Sequence, residues 1–223
     1  ASSLAKEWFN RALDNGLAMF QGNLRNIYID EADFANARRV AKTAAELGNP
    51  AMMLYTGLDC HENGKFEDAF TWFTKGAALG QSESIAELAD YYYHFYDAKH
   101  LRCTIPYDPV KAIGLYRRAA TKEFSDAGYT ALQAAFGYIF HIGHLPLDWG
   151  LIADLTHMAA TKDHFMFALP YIGYMRIHGL GVTKNIRFGV QSLLRVLDEE
   201  QRAFEEEDRV LFYDITRALT RVA

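Results

Sequence analysis

Within Tyr171–Leu197, the stretch His178-Gly179-Leu180-Gly181-Val182-Thr183-Lys184-Asn185 decides the fold. A helix-like run, Phe165–Ile177, stops at the Gly-x-Gly-Val corner, and a second run, Ile186–Leu197, starts just after it. Glycine is used where a chain leaves a helix with positive φ, so two glycines one residue apart mark a tight turn. Asn185 stands where an N-cap belongs. The unit is a helix hairpin, and weaker versions of it recur upstream.

The earlier runs follow the same logic. Ser3–Phe20 carries Leu4, Trp8, Ala12, Leu13, Leu17 and Phe20 at three- and four-residue spacing, which predicts an amphipathic helix. Gly22–Asp30 reads as a looser connection. Phe34–Leu47 is expected as a helix opened by Asp33 and closed by Gly48. Ala51–Asp59 and Phe66–Leu79 form the next pair, and Ser84–Ala98 begins another. Asp97–Tyr107 reads as an insertion before Asp108-Pro109, a cap followed by proline at the first helical position. Asp126–Phe140, Trp149–Thr161 and a last helix, Asp208–Val222, complete the series.

A small residue seven before each small pair gives a phase marker: Ala37, Ala69, Ala112, with Ile152 and Gly189 in the same register. Their spacings are 32, 43, 40 and 37 residues. A period of this size built from helix pairs signals an α-solenoid, in which each pair buries its apolar faces against its neighbours. Small residues near the end of each return helix, Ala119-Ala120 and Ala159-Ala160 among them, let the next helix approach closely.

Composition agrees with a globular chain. Of 223 residues, 50% are hydrophobic and 23% charged, and the net charge of −5 argues against nonspecific nucleic-acid binding. No apolar run reaches the length of a membrane span. Residue 1 is Ala rather than Met, so the chain start is read as trimmed or processed; the compartment is cytoplasmic or, with an export signal removed, periplasmic. Cys60 and Cys103 lie 43 positions apart near helix corners; two unpaired thiols is the favoured reading, and a disulfide stays open if those corners meet.

The chain resembles the Sel-one-like repeat (SLR) family, relatives of tetratricopeptide repeats. Ile172-Gly173 through Gly179-x-Gly181-Val182-x-x-Asn185 carries the first half of the motif. Asp108-x-x-Lys111-Ala112-x-x-Leu115-Tyr116-x-Arg118-Ala119-Ala120 carries the second. Phe136-Gly137 to Gly143, then Asp148 and Ala159-Ala160, forms a third version, and the resemblance covers roughly Asp33–Leu197. It implies an all-α, right-handed solenoid of antiparallel helix pairs. Organisation follows as one repeat domain, 1–223: an N-terminal capping helix in 1–32, about five degenerate repeats in 33–197, and a C-terminal capping helix in 198–223. It also implies a protein partner, with no shared catalytic residues and no cofactor; some members act as immunity proteins beside secreted toxins.

His141-Ile142-Gly143-His144 matches the nucleotide-binding tetrad of class I tRNA synthetases in letters. It lies between helices, however, and no Lys-Met-Ser-Lys-Ser-like loop follows. His141, His144, His157, His164 and His178 are scattered at corners with no HExxH, so no metal site is assigned, and a metal-dependent enzyme is the minor alternative. Gly179-Leu180-Gly181 lacks the Lys-Ser/Thr of a phosphate loop. The run Tyr91-Tyr92-Tyr93-His94-Phe95-Tyr96 cannot all face one side of a helix. Tyr91, Tyr92, Phe95 and Tyr96 are therefore expected as partner contacts on a concave face, or else as packing around the insertion. The acidic segment 198–208 would attract a basic partner, or is simply solvated. The expected function is a non-enzymatic interaction module for a protein partner, with a toxin or an envelope or secretion component as the candidates. Neutralising a secreted toxin is the narrower alternative.

Overall fold

The computed structural model describes residues 2–17, 21–93, 105–122, 126–161 and 165–203. Those residues form eleven α-helices and no strand. The chain divides into two compact units, Ala1–Phe124 and Ser125–Ala223.

The first unit holds α1 (Ser2–Asp14), α2 (Gln21–Asp30), α3 (Phe34–Glu46), α4 (Pro50–Glu62), α5 (Phe66–Ala78), α6 (Ser82–Tyr93) and α7 (Pro109–Ala120). The second holds α8 (Ala127–Ile139), α9 (Trp149–Thr161), α10 (Phe165–His178) and α11 (Ile186–Ala203). Within each unit, every helix packs on the next in sequence. The pairs α2–α3, α4–α5, α6–α7, α8–α9 and α10–α11 are the repeats.

The phase markers fall at one structural position. Ala37, Ala69, Ala112, Ile152 and Gly189 are each the fourth residue of a second helix: α3, α5, α7, α9 and α11. Each donates its backbone N–H to the carbonyl of the residue before the helix, at 2.9–3.0 Å. Four of those preceding residues also cap with a side chain: Asp33, Asp108, Asp148 and Asn185 accept the N–H three residues on. Lys65 makes no side-chain cap. The four marker side chains bigger than glycine are buried.

Close approach fixes the distance between helices. A Cβ on Gly57 of α4 would lie 2.5 Å from the Phe73 ring of α5, so the ring fills the notch. A Cβ on Gly76, near the end of α5, would lie 2.4 Å from Ser84 Oγ of α6. The small residue near the end of this return helix therefore admits the next helix. Ala119 and Ala159 stand at the same position of their helices and are fully buried, as is Ala120; Ala160 is half-buried. Arg118 adds a tie between neighbouring second helices, donating to the Ala77 carbonyl at 2.8 Å.

Some boundaries differ from the sequence reading: α4 runs on to Glu62 and α11 to Ala203, past the expected Asp59 and Leu197, and two further differences are larger. The first helix ends at Asp14, because Gly16 takes φ +79° and turns the chain: Gly16 N–H donates to Leu13 and Leu17 N–H to Ala12. Residues 18–20 lie outside the described ones. Gly22–Asp30, expected as a connection, belongs to a helix. Gln21, Leu24 and Tyr28 form its buried face, and α2 packs on α3. Its end was hard to read because Ala32, not glycine, holds the left-handed turn at φ 57°. The hydrogen bonds are those of the glycine turns: Ala32 N–H to Ile29 and Asp33 N–H to Tyr28. Of the insertion, 94–104 is outside the described residues. The chain rejoins α6 where Asp108 N–H donates to the Tyr92 carbonyl at 2.9 Å.

The hairpin between α10 and α11 is pinned to its own unit. Gly181 takes φ +65°, and a Cβ there would lie 2.0 Å from the Trp149 carbonyl oxygen at the start of α9. Asn185 N–H donates to Arg176 O at 2.7 Å, and Arg176 donates to Thr183 O at 3.1 Å. Gly181→Ala should therefore cost about 2–3 kcal/mol, from backbone strain and overpacking together. Ala32→Gly should do the opposite, adding about 0.5 kcal/mol by removing the left-handed penalty of a residue with Cβ. Urea denaturation of the two variants beside the parent checks both signs.

Candidate functional site

Tyr91 and Tyr92 are core residues, not the open contact surface expected of them. Tyr91 is fully buried; its ring lies 5.5 Å from Phe73 and 6.2 Å from Phe70, and its hydroxyl is 2.7 Å from His61 Nδ1. Tyr92 is buried too, with Phe70 edge-on at 5.4 Å. Lys111 Nζ donates to the Tyr92 hydroxyl at 2.7 Å and sits 4.1 Å from the ring centroid. The reason is the position of α6, which packs against both α5 and α7. A helix flanked on two sides has a wide buried arc, so two consecutive side chains about 100° apart both fall inside it. Tyr93 is half-buried, 6.4 Å from Tyr107, and burial pushes its hydroxyl pKa up. Tyr116 donates to the Asp90 carboxylate. Phe95 and Tyr96 lie outside the described residues.

The open aromatic surface lies on the first helices of the repeats in the second unit. On α8, Gln133 and Phe136 are half-buried, and Phe140, its C-cap, is 42% exposed. Their spacing of three and then four puts them on one face. On α10, Phe167 is 40% exposed, Tyr174 half-buried and His178 exposed, again at one-face spacing. The two helices meet where the Phe136 ring lies 5.1 Å from Tyr171; one turn on, Phe136 is 6.1 Å from Phe140. The Tyr174 and His178 rings lie 4.4 Å apart, tilted by 40°. Tyr171 anchors this surface from below; it is 1% exposed, its hydroxyl has no hydrogen-bond partner among the described residues, and burial raises its pKa strongly. In the first unit the first helices offer Tyr55, 37% exposed, with the Arg25 guanidinium 3.7 Å from its ring centroid.

These residues were present in the sequence as one-face aromatic spacing on two first helices. The consecutive run at 91–96 was the louder signal, but a consecutive run says nothing about which face is open.

The other residues singled out in the sequence take the following places. His141, Gly143 and His144 all take positive φ around a short 3-10 turn, Ile142–His144, and His141 Nδ1 lies 3.1 Å from the Leu145 carbonyl. Among the described residues, no three His, Cys, Asp or Glu side chains are grouped to hold a metal ion. Gly181 packs on the α9 backbone instead of opening a cradle. Cys60 is a free thiol whose pKa burial pushes up, and Cys103 lies outside the described residues. Residues 198–203 continue α11, while 204–223, including the expected last helix Asp208–Val222, lie outside the described residues. No helix among the described residues is long and apolar enough to cross a membrane.

If Tyr91 is core, Tyr91→Ala should lower stability by about 3–5 kcal/mol, as loss of a buried aromatic does. Tyr91→Phe should cost about 1 kcal/mol through the lost His61 hydrogen bond. Thermal or urea melts of both variants check this.

The comparisons with known proteins agree with the repeat architecture. The Sel1 repeat model matches residues 2–17, 41–81, 82–124 and 171–191. A Sel1 repeat protein from Oxalobacter formigenes is 20% identical, aligns over 92% of this chain and 78% of its own, and superposes with a TM-score of 0.62. A sel1 repeat protein from Klebsiella pneumoniae subsp. pneumoniae is 18% identical over 87% of this chain and 92% of its own, at a TM-score of 0.49. The protein c5321, a protective antigen of uropathogenic Escherichia coli strains with an SLR fold, is 15% identical over 99% of this chain and 55% of its own, at 0.47. None of the curated proteins matches by sequence. With the repeat model matched over more than half of its length, and with helix pairs in one register, the chain belongs to the Sel1 repeat family and has an α-solenoid fold of antiparallel helix pairs.

Proposed function

We propose that this protein is a non-enzymatic interaction module that binds a protein partner on the first helices of its repeats. Sel1 repeat proteins are generally protein-interaction modules. The observation that carries the proposal is the aromatic surface of α8 and α10: Phe136, Phe140, Phe167, Tyr174 and His178. Aromatic side chains give large contact area at low conformational cost, which is why they dominate binding hot spots. The expected contact role passes from Tyr91 and Tyr92, which are buried, to these residues. Within this reading, neutralising a cognate secreted toxin is a narrower form, supported by the net charge of −5, which favours a basic partner.

The test starts from peptides selected by display against the wild-type protein. Phe140→Ala combined with Phe167→Ala should weaken the selected peptides by at least about tenfold, because hot-spot aromatics each contribute upward of about 1–2 kcal/mol. Both side chains are exposed, so the melting curve should stay close to the parent. Undiminished binding by the double variant would remove the surface from consideration. A basic sequence bias among the selected peptides would favour the toxin reading.

A further inference from the structure

Helices α2 and α4 are first helices of neighbouring repeats and touch in the first unit. Two residue pairs mark their contact. A Cβ on Gly22 would lie 3.9 Å from Met52 Cε, and one turn along Arg25 meets Tyr55. Leu24 and Leu54, the residues just before, are buried, so Arg25 and Tyr55 stand where each helix leaves the core. Arg25 is half-buried. Its guanidinium carbon is 3.7 Å from the Tyr55 ring centroid, so the group lies over the ring.

The nitrogens set Arg25 apart. Arg38 is spent on Asp59 at 2.7 Å, Arg118 on the Ala77 carbonyl at 2.8 Å, and Arg176 on the Thr183 carbonyl at 3.1 Å. Arg25 is half-buried as Arg176 is, yet among the described residues it has no acceptor. No acid of its own two helices is placed to neutralise it. Asp59 of α4 is held by Arg38 from α3. Asp30 is five residues on from Arg25, about 140° round the helix, and Glu62 is two turns past Tyr55.

A guanidinium stacked through its face keeps its in-plane N–H donors available, and those donors match the two oxygens of a carboxylate. Stacking also holds the side chain before a ligand arrives, so less freedom is lost on binding. We infer that Arg25, on its Tyr55 platform, is the anchor for one Asp or Glu side chain of the protein partner. This anchor presupposes the interaction module proposed above and adds to it a charge requirement in the first unit. Arg25 is the one Lys or Arg of α2 and α4. A single positive charge suits a carboxylate, whereas a phosphate, at about −2, calls for a second cation.

The probes are peptides selected by display against the Phe140→Ala, Phe167→Ala variant, in which the aromatic surface of α8 and α10 is disabled. They are then labelled with fluorescein and titrated with the full chain. The selected peptides should share an Asp or Glu position. Changing that residue to Asn or Gln should weaken binding about tenfold, and Arg25→Gln in the protein should do the same. Both changes together should cost no more than either alone, which shows that the two groups meet. Tyr55→Leu should weaken binding several-fold by removing the platform. Arg25→Gln should melt like the parent, because the side chain makes no hydrogen bond within the described fold. Equal binding by the Arg25→Gln variant, or no shared acidic position, would overturn the anchor. So would tighter binding of a peptide with phosphoserine at the acidic position. If peptides selected by the wild-type protein still depend on Phe140 and Phe167, the interaction module stands and the anchor alone falls. If neither protein selects a peptide, both fall.

Discussion

The structure depends on backbones coming closer than side chains normally allow. In the α10–α11 pair, a Cβ on Gly173 would lie 3.0 Å from the Gly189 carbonyl oxygen, and a Cβ on Gly189 would lie 2.6 Å from the Gly173 carbonyl oxygen. Each glycine makes room for the other. In the α4–α5 pair the same need is met differently, by a glycine on one helix and an aromatic ring on the other. The volume at the contact is held roughly constant while its division between the partners changes. Interiors are close-packed, so such exchange is the form of variation a repeat tolerates best.

This constraint explains what could be read from the sequence. The markers Ala37, Ala69, Ala112, Ile152 and Gly189 differ in size, yet all occupy the fourth position of a second helix. Their spacing carried the repeat, because spacing reports register and register is set by the caps before each helix. Where the cap and the stop residue are standard, as at Asp108 or Gly80, boundaries were legible to within a residue or two. Where Ala32 replaces the glycine stop, α2 was hidden, although Leu24 and Tyr28 already stood one turn apart.

The binding surface was less legible for a different reason. Burial of an aromatic side chain depends on how many helices flank its own, and a single sequence does not state that number. Tyr91 and Tyr92 sit on a helix enclosed by α5 and α7, so consecutive aromatics became core. Phe140, Phe167 and Tyr174 keep part of their rings in water, the condition a contact residue needs before a partner arrives. Their aromatic neighbours Phe136 and Tyr171 hold the patch from behind, which limits the rotamer freedom that binding would have to remove.

The Arg118 side chain crosses from α7 to the last turn of α5, whose carbonyls concentrate partial negative charge. A repeat array behaves as a one-dimensional lattice whose cooperativity is the strength of its nearest-neighbour terms. One guanidinium placed on a carbonyl of the preceding repeat is such a term. It couples the last turn of α5 to the last turn of α7, so that fraying at either helix end is felt by the adjacent repeat.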